Sequence, residues 1–112
     1  MEDRMTQLLR GTLHALILRT LAGGPLHGYA IASRIEQRVD GAFRLEDGAL
    51  YQALHRMQGR QWLRSEWGHA ENGKRARFYR LTSKGWRQLD LETASWIRYV
   101  DAVSKILRPA RA

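Results

Sequence analysis

Apolar residues return every three or four positions in several stretches of the chain, a spacing that places them on one face of a helix. The first stretch runs from Thr6 to Ala22, and the Gly-Gly-Pro sequence at 23–25 ends it. The second runs from about Gly28 to Val39 and is followed by Asp40 and Gly41, a typical helix stop. The spacing therefore predicts two helices in this part of the chain.

A third helix is expected between Asp47, which can serve as its N-cap, and Gly59. The face that this helix should bury consists of its apolar positions, Leu50, Ala53, Leu54 and Met57. A fourth and longer helix is predicted from about Lys84 to Leu107, with a hydroxyl residue at 82–83 as its cap and Pro109 closing it.

The segment between the third and fourth helices has the character of a β-hairpin. Trp62 to Trp67 and Ala76 to Thr82 are rich in aromatic and aliphatic residues, and Gly68, Asn72 and Gly73 between them favour a turn. Alternate residues of a strand point to opposite faces, so the second strand can pack one face and leave the other in water. The two sets are Arg77, Tyr79 and Leu81 on one face and Phe78 and Arg80 on the other.

Three helices, a hairpin and a last helix make a mainly helical α+β chain with the element order of a winged helix-turn-helix. In that architecture the third helix enters the major groove of DNA and the hairpin contacts the backbone. We expect residues 1–82 to form the DNA-binding unit and residues 83–112 to form a dimerisation helix and tail within one compact domain.

The composition fits a polyanionic partner. The chain of 112 residues has 19 Lys and Arg against 11 Asp and Glu, a formal net charge of +8 and a pI near 10.8. It has no cysteine, so disulfides and thiolate chemistry are excluded. No apolar run is long enough for a membrane span and the first ten residues do not resemble a signal peptide, so we expect a cytoplasmic protein with no membrane partner.

The positive charge is concentrated in the hairpin and the start of the last helix. Between Gly73 and Leu89 there is no acidic residue. The cations in this interval are Lys74, Arg75, Arg77, Arg80, Lys84 and Arg87. Neutralising DNA phosphates is one use for such a surface, with Lys74, Arg75 and Arg77 as the expected contacts. The alternative is a solvated face that only keeps the protein in solution.

The outward face of the third helix adds groups that can read bases. It is expected to present Ala49, Tyr51, Gln52, His55 and Arg56. Glutamine can pair bidentately with adenine and arginine with guanine, and the small Ala49 in the first turn permits a close approach. An ordinary exposed polar face is the alternative reading of the same stripe.

Several motifs in order along the chain resemble the PadR family of transcriptional regulators. They are Leu26-His27-Gly28-Tyr29, Gly48-Ala49-Leu50-Tyr51, Trp67-Gly68 and the run from Arg75 to Thr82. The resemblance covers nearly the whole chain and is closest to the compact subfamily with a single C-terminal helix. It implies a dimeric, repressor-type protein on an inverted-repeat operator. Ala49 and Gln52 depart from the family, which often has Ser or Thr and Pro at these positions.

The last helix carries an apolar stripe with heptad spacing, which predicts a partner helix and thus a homodimer. The stripe consists of Trp86, Leu89, Thr93, Trp96, Val100, Val103 and Leu107. PadR-like proteins are similar in dimerising through this element with help from the first helix, which implies that Leu9 and Leu13 also take part.

Trp96 lies in the middle of this stripe, where two copies would face each other across a two-fold axis. The paired indoles, with Val100 one turn further on, could form a slot for a small planar aromatic effector, as in some compact PadR-like regulators. The alternative is that Trp96 only fills the core of the dimer.

Residues for catalysis, metal or cofactor binding are not evident. The four histidines are scattered, and neither a phosphate-binding glycine loop nor a nucleophile motif is present. His27 is expected to cap or orient the second helix. The sequence therefore predicts a sequence-specific transcriptional regulator and not an enzyme. A nonspecific architectural DNA-binding protein is the main alternative, and a ligand-binding or catalytic homodimer is a third class, which lacks converging polar groups.

Overall fold

The apolar stripe of the first helix, α1 (Arg4–Leu21), forms the centre of the fold in the computed structural model, which describes residues 4–108. Its buried side chains are Leu9, Leu13, Ile17, Leu18 and Leu21. The spacing of three, four and one places them on one side of the helix. Helix α1 begins two residues earlier than its pattern predicts, at Arg4, and ends one residue earlier, at Leu21.

Two shorter helices pack against α1, as predicted. Helix α2 (Gly28–Arg38) buries Ile31 and Ile35, and helix α3 (Asp47–Gly59) buries its whole predicted inner face. The N-cap of α3 is Glu46 and not Asp47, and its side chain makes no capping hydrogen bond. Asp47 instead lies in the first turn, where a carboxylate is favourable next to the positive end of the helix dipole.

The hairpin is present, and a short strand joins it. Strands β2 (Leu63–His69) and β3 (Arg75–Leu81) pair antiparallel, with Leu63 opposite Leu81 and His69 opposite Arg75. The strand that the sequence did not predict is β1 (Leu26–His27), which pairs with the other edge of β3. Strand β3 is thus the central strand of the sheet, which has the order β1-β3-β2.

The two faces of β3 differ as the alternation predicts, except that Arg77 is exposed on the face of Tyr79 and Leu81 and that Phe78 is partly covered. Tyr79 is buried and Leu81 is partly buried against the helices, while Arg80 is exposed on the other face. Phe78 shares the face of Arg80 but is not left in water, because the ring of His27 packs edge-on to it at 5.4 Å. The added strand β1 supplies that cover.

The last helix, α4 (Ser83–Leu107), starts on the core and then extends away from it. Thr82 is its N-cap, as predicted, and its hydroxyl accepts a hydrogen bond from the Gly85 amide at 3.0 Å. Only Gly85 and Leu89 are buried along this helix, so most of α4 projects beyond the core. Pro109, the predicted helix stop, lies outside the described residues, and the division at residue 82 stays a prediction.

Candidate nucleic-acid interface

The exposed face of α3 is the first part of the site. Every residue predicted to point outward from this helix is exposed, and the list is Ala49, Tyr51, Gln52, His55 and Arg56. The four apolar residues between them are buried. Because successive helical residues are rotated by about 100°, the point opposite the buried face lies between Gln52 and His55. Gly48 and Gly59, which the prediction omitted, share this side, and a Cβ added at either would meet nothing within 4 Å.

Tyr51 lies on one flank of this face, against the start of α2. A Cβ placed on Gly28 would come within 2.5 Å of the Tyr51 hydroxyl, so a larger residue at position 28 would require the tyrosine ring to move. Gly28 is buried and Tyr51 is exposed over about half of its surface. The ring of Tyr51 therefore lies directly over the start of α2.

Arg56 lies on the opposite flank and faces α1. Its Nη2 atom is 3.4 Å from Nε2 of His14, whose ring packs edge-on to Trp62. The guanidinium of Arg60 stacks on the same Trp62 at 5.1 Å from the ring centroid. The sequence grouped Arg56 with Gln52 as a base-reading residue. In the structure its guanidinium is engaged with α1 instead, away from the centre of the exposed face.

The pKa of His14 is lowered from its ordinary value of 6.5, first by burial and then by the charges of Arg56 and Arg60. Protonation would place a third positive charge beside two guanidiniums, so the neutral ring is favoured. Glu92 of α4 acts in the opposite direction on this pKa. His14 is therefore a point where α1, α3 and α4 interact electrostatically.

The wing, residues 63–81, contributes the second part of the site. The guanidiniums of Arg75 and Arg77 lie over the indole of Trp67, at 4.3 and 5.1 Å from the ring centroid. Trp67 is directly opposite Arg77 in the strand register and is 55% exposed. The sequence predicted both arginines but not Trp67, because their proximity depends on a register that only the folded hairpin reveals.

The tip of the wing is shaped by a local turn. Gly73 has a positive φ of +81°, and its amide donates a hydrogen bond to the Ala70 carbonyl at 2.9 Å. The side-chain oxygen of Asn72 accepts from the Lys74 amide at 3.0 Å. These bonds hold the chain in a tight turn and leave the Lys74 side chain exposed at the start of the second strand.

The two parts of the site meet in a cleft of about 420 Å³ between α3, the start of α2 and the wing. We call it the wing cleft. Its lining includes Tyr51 on the helix side and Trp67, Lys74, Arg75 and Arg77 on the wing side. Of the predicted DNA contacts, the structure brings Tyr51 together with the three wing cations. It leaves Ala49, Gln52 and His55 on the open face of α3 and Arg56 beside α1.

His27 behaves as the sequence predicts. Its Nδ1 accepts a hydrogen bond from the Ala30 amide at 3.3 Å, so it caps α2. The described residues contain no cluster of His, Asp and Glu able to hold a metal ion.

The residues of the predicted dimer stripe differ in how deeply they are buried. Leu89, Leu9 and Leu13 are buried in the core of the chain itself, so the structure gives these leucines a role within one chain, and their part in a dimer interface stays a prediction. Thr93, Val103 and Trp96 are partly buried, Trp96 lying over Gly11 of α1 and edge-on to Tyr99 at 5.7 Å. Trp86, Val100 and Leu107 are exposed, as is Ile97, which the prediction omitted.

Known proteins resemble this chain over most of its length. The model of the family described as transcriptional regulator PadR-like matches residues 17–91. A PadR family regulator from Eggerthella lenta is 32% identical with a TM-score of 0.76, and the match covers 95% of this chain and 90% of that one. A transcriptional regulator from Clostridium thermocellum is 25% identical with a TM-score of 0.82, over 91% of this chain and 99% of that one. The chain belongs to the PadR family.

Two further relatives are matched over very different shares of their own length. The uncharacterized protein X of Lysinibacillus sphaericus is 26% identical over 91 residues, which are 81% of this chain and 84% of that protein. A 37.1 kDa protein in a Streptomyces fradiae transposon is 45% identical over 83 residues, 74% of this chain but only 22% of that protein.

This PadR-like chain is therefore a DNA-binding transcriptional regulator and not an enzyme. The winged-helix fold predicted from the sequence is confirmed by these likenesses. No helix within residues 4–108 has the length and apolar character needed to cross a membrane.

The lowered pKa of His14 predicts a pH-dependent stability. Between that pKa and 6.5 the unfolded chain binds more protons than the folded protein, so the free energy of unfolding rises with pH there and falls as the solution is acidified. The His14→Gln variant should lose this part of the dependence. Urea unfolding between about pH 5 and about pH 8 measures it. His55→Gln, at an exposed position on α3, is the control, and equal pH profiles for wild type and His14→Gln would contradict the prediction.

Proposed function

We propose that the chain is a homodimeric repressor that binds an inverted-repeat operator in the cytoplasm, where bacterial DNA lies. The observation that carries the proposal is the wing cleft, in which the flank of α3 and a cationic hairpin form one surface. A helix in the major groove with a wing on the adjacent backbone needs these two elements side by side. We call α3 together with the wing the head of one chain. A two-fold dimer would place its two heads on successive major grooves, roughly 34 Å apart.

In this proposal the residues at the centre of the exposed α3 face contact the base edges. Gln52 and His55 both offer hydrogen-bonding groups there, and glutamine is suited to adenine. Ala49 and the glycines at 48 and 59 leave the backbone uncovered, which favours close approach to the floor of the groove. Arg56 would join this set only when its guanidinium leaves His14.

In the same proposal the phosphates are bound by Lys74, Arg75 and Arg77 on the wing. All three are exposed and line the wing cleft. Each neutralised phosphate releases counterions, so affinity should fall steeply with salt. The alternative, a nonspecific architectural protein, would use the same wing without preferring one sequence.

The first experiment is a fluorescence-anisotropy titration of the protein with the intergenic DNA upstream of its own gene and with a scrambled duplex, across a salt series. We expect preference for the native DNA and repression of a promoter that overlaps it. Arg77→Gln should lower the slope of log affinity against log salt by about one. Gln52→Ala should relax the preference at one base position by about 1–3 kcal/mol.

Arg64→Gln is the matched control for the wing, because Arg64 is exposed on the opposite face of the same hairpin, across from Arg80. Its salt slope should match that of the wild type. Equal affinity for native and scrambled DNA would support the architectural alternative instead. An unchanged slope for Arg77→Gln would remove the wing from the interface.

The homodimer part of the proposal is supported by uncovered apolar surface along α4. Trp86, Ile97, Val100 and Leu107 are all exposed and, at helical spacing, fall on one side of the helix. Leu8 near the start of α1 is 57% exposed as well. Large apolar side chains exposed along this length of a helix mark an interaction surface, and the heptad spacing suits a second copy of the same helix.

A charge in this stripe should separate the dimer. We expect Ile97→Glu to be monomeric at concentrations at which the wild type is dimeric, because the carboxylate would have to be buried without a partner. Analytical ultracentrifugation measures the association. Leu91→Glu is the control, since Leu91 is 63% exposed but lies on the other side of α4. If the Ile97→Glu variant dimerised with the wild-type affinity, the assignment of this α4 stripe as the dimer interface would be contradicted.

The effector part of the proposal is supported by an apolar groove of about 410 Å³ between the start of α1 and the end of α4. Its lining includes Leu8, Phe43, Trp96, Tyr99, Val100 and Val103. Planar aromatic molecules stack well on such side chains. A ligand in this groove would relieve repression only if it bound one separation of the two heads more tightly than the other.

The fluorescent probe 8-anilinonaphthalene-1-sulfonate tests whether this groove accepts an aromatic anion. Its emission should increase on binding to the wild type, because it reports accessible apolar surface. Trp96→Ala should weaken the enhancement strongly, and Trp67→Ala, which changes an exposed tryptophan outside the groove, should not. If the two variants behave alike, the groove around Trp96 is not the binding site.

A further inference from the structure

Trp67 is an unusual residue for the position that it occupies. Its side chain is 55% exposed near the end of β2 and is absent from the hydrophobic core. A large apolar ring in water contributes little to the stability of the fold. The guanidiniums of Arg75 and Arg77 lie over the face of this ring.

The two arginines have physical reasons to separate. They are two residues apart on β3 and therefore point to the same side of the sheet. Like charges side by side repel, and a long arginine side chain has many rotamers in water. The indole face attracts a guanidinium through its electron-rich π system and offers a flat surface on which it stacks. The ring thus favours an arrangement that the charges alone oppose.

The opposite wall of the wing cleft is aromatic. The ring of Tyr51 lies close to Gly28 at the start of α2 and lines the cleft opposite the wing. Among the described residues that line this cleft there is no Asp or Glu. Two cations held side by side, opposite an aromatic wall and without a carboxylate to neutralise them, suit a segment of polyanionic backbone.

We propose that Trp67 is a positioning residue for DNA binding. Its indole holds Arg75 and Arg77 together, so that both guanidiniums meet the phosphates of one segment of the duplex without first having to be ordered. The inference rests on the proposed function, since it assigns the wing cleft to the sugar-phosphate backbone. In it, Trp67 acts through the two arginines and not by touching a base.

A double-mutant cycle on the full-length protein tests this role. The variants are Trp67→Leu, the pair Arg75→Gln with Arg77→Gln, and all three changes together, titrated against the operator DNA by anisotropy. Trp67→Leu should weaken binding about fivefold in the wild-type background, as expected for loss of an exposed cation–π contact. In the background that lacks the arginines, the same change should have an effect of less than about twofold.

Two conservative changes sharpen the test. Trp67→Phe keeps an aromatic face and should retain affinity within about twofold of the wild type. The pair Arg75→Lys with Arg77→Lys keeps both charges but loses the planar stacking groups. It should therefore weaken binding about as much as Trp67→Leu while leaving the salt slope unchanged. The lysine pair leaves Trp67 intact, so this arm remains informative if the leucine variant folds poorly.

The outcomes separate this inference from the proposed function. An equal loss of affinity on Trp67→Leu in both backgrounds would overturn the positioning role, because the effect would then not pass through the arginines. A lysine pair with wild-type affinity would overturn it as well. If the glutamine pair keeps the wild-type affinity and salt slope, the wing does not contact DNA and the proposed interface itself fails.

Discussion

Helix α1 is the element on which the arrangement of the others depends. It contacts α2, α3, α4 and the central strand β3, and its Ile17 and Leu18 are completely buried. A chain of this size has few layers in which to bury apolar surface, and α1, which contacts every other helix, contributes more buried side chains to the shared core than any other described element. Helix α1 therefore links α3 to α4, while α3 also contacts strand β2 of the wing directly.

A close backbone approach determines how the start of α4 packs against the chain just before β2. A Cβ on Gly85 would collide with the Trp62 carbonyl, so the start of α4 can lie against the chain just before β2 only with glycine there. Thr82 adds to the same junction, because its amide donates to the Trp62 carbonyl and its hydroxyl to the Gln61 carbonyl. The wing and α4 consequently form one rigid corner. A tilt of α4 cannot easily occur without moving the hairpin.

Helical spacing predicted the buried face of α3 residue by residue, because burial of an amphipathic helix is a local property of the sequence. The two-residue strand β1 was not predictable in this way, since it exists only through its pairing with β3. The contacts of Trp67 and Arg56 could not be predicted for a related reason: those of Trp67 with the wing arginines depend on strand register, and that of Arg56 joins it to His14, which is distant in the sequence. The heptad pattern of α4 predicted an apolar stripe but not which way it faces. Leu89 is buried in the core of its own chain, whereas Ile97, which the pattern did not include, is exposed.

That division of α4 bears on how a signal from the apolar groove would reach DNA in the proposed dimer. The groove lies between the start of α1 and the end of α4, and Trp96 on α4 packs over Gly11 of α1. A molecule that widened this groove on binding would change the angle between these two helices. Since α1 also packs on α3, and the start of α4 is locked to the wing, a change in that angle would be carried to both DNA-contacting elements of each head together. In a fold with a flexible linker between the head and the dimer helix, the linker would take up the change in angle. The short junction at Thr82 and Gly85 leaves no such linker, which is what makes coupling between the groove and the DNA-contacting elements physically feasible.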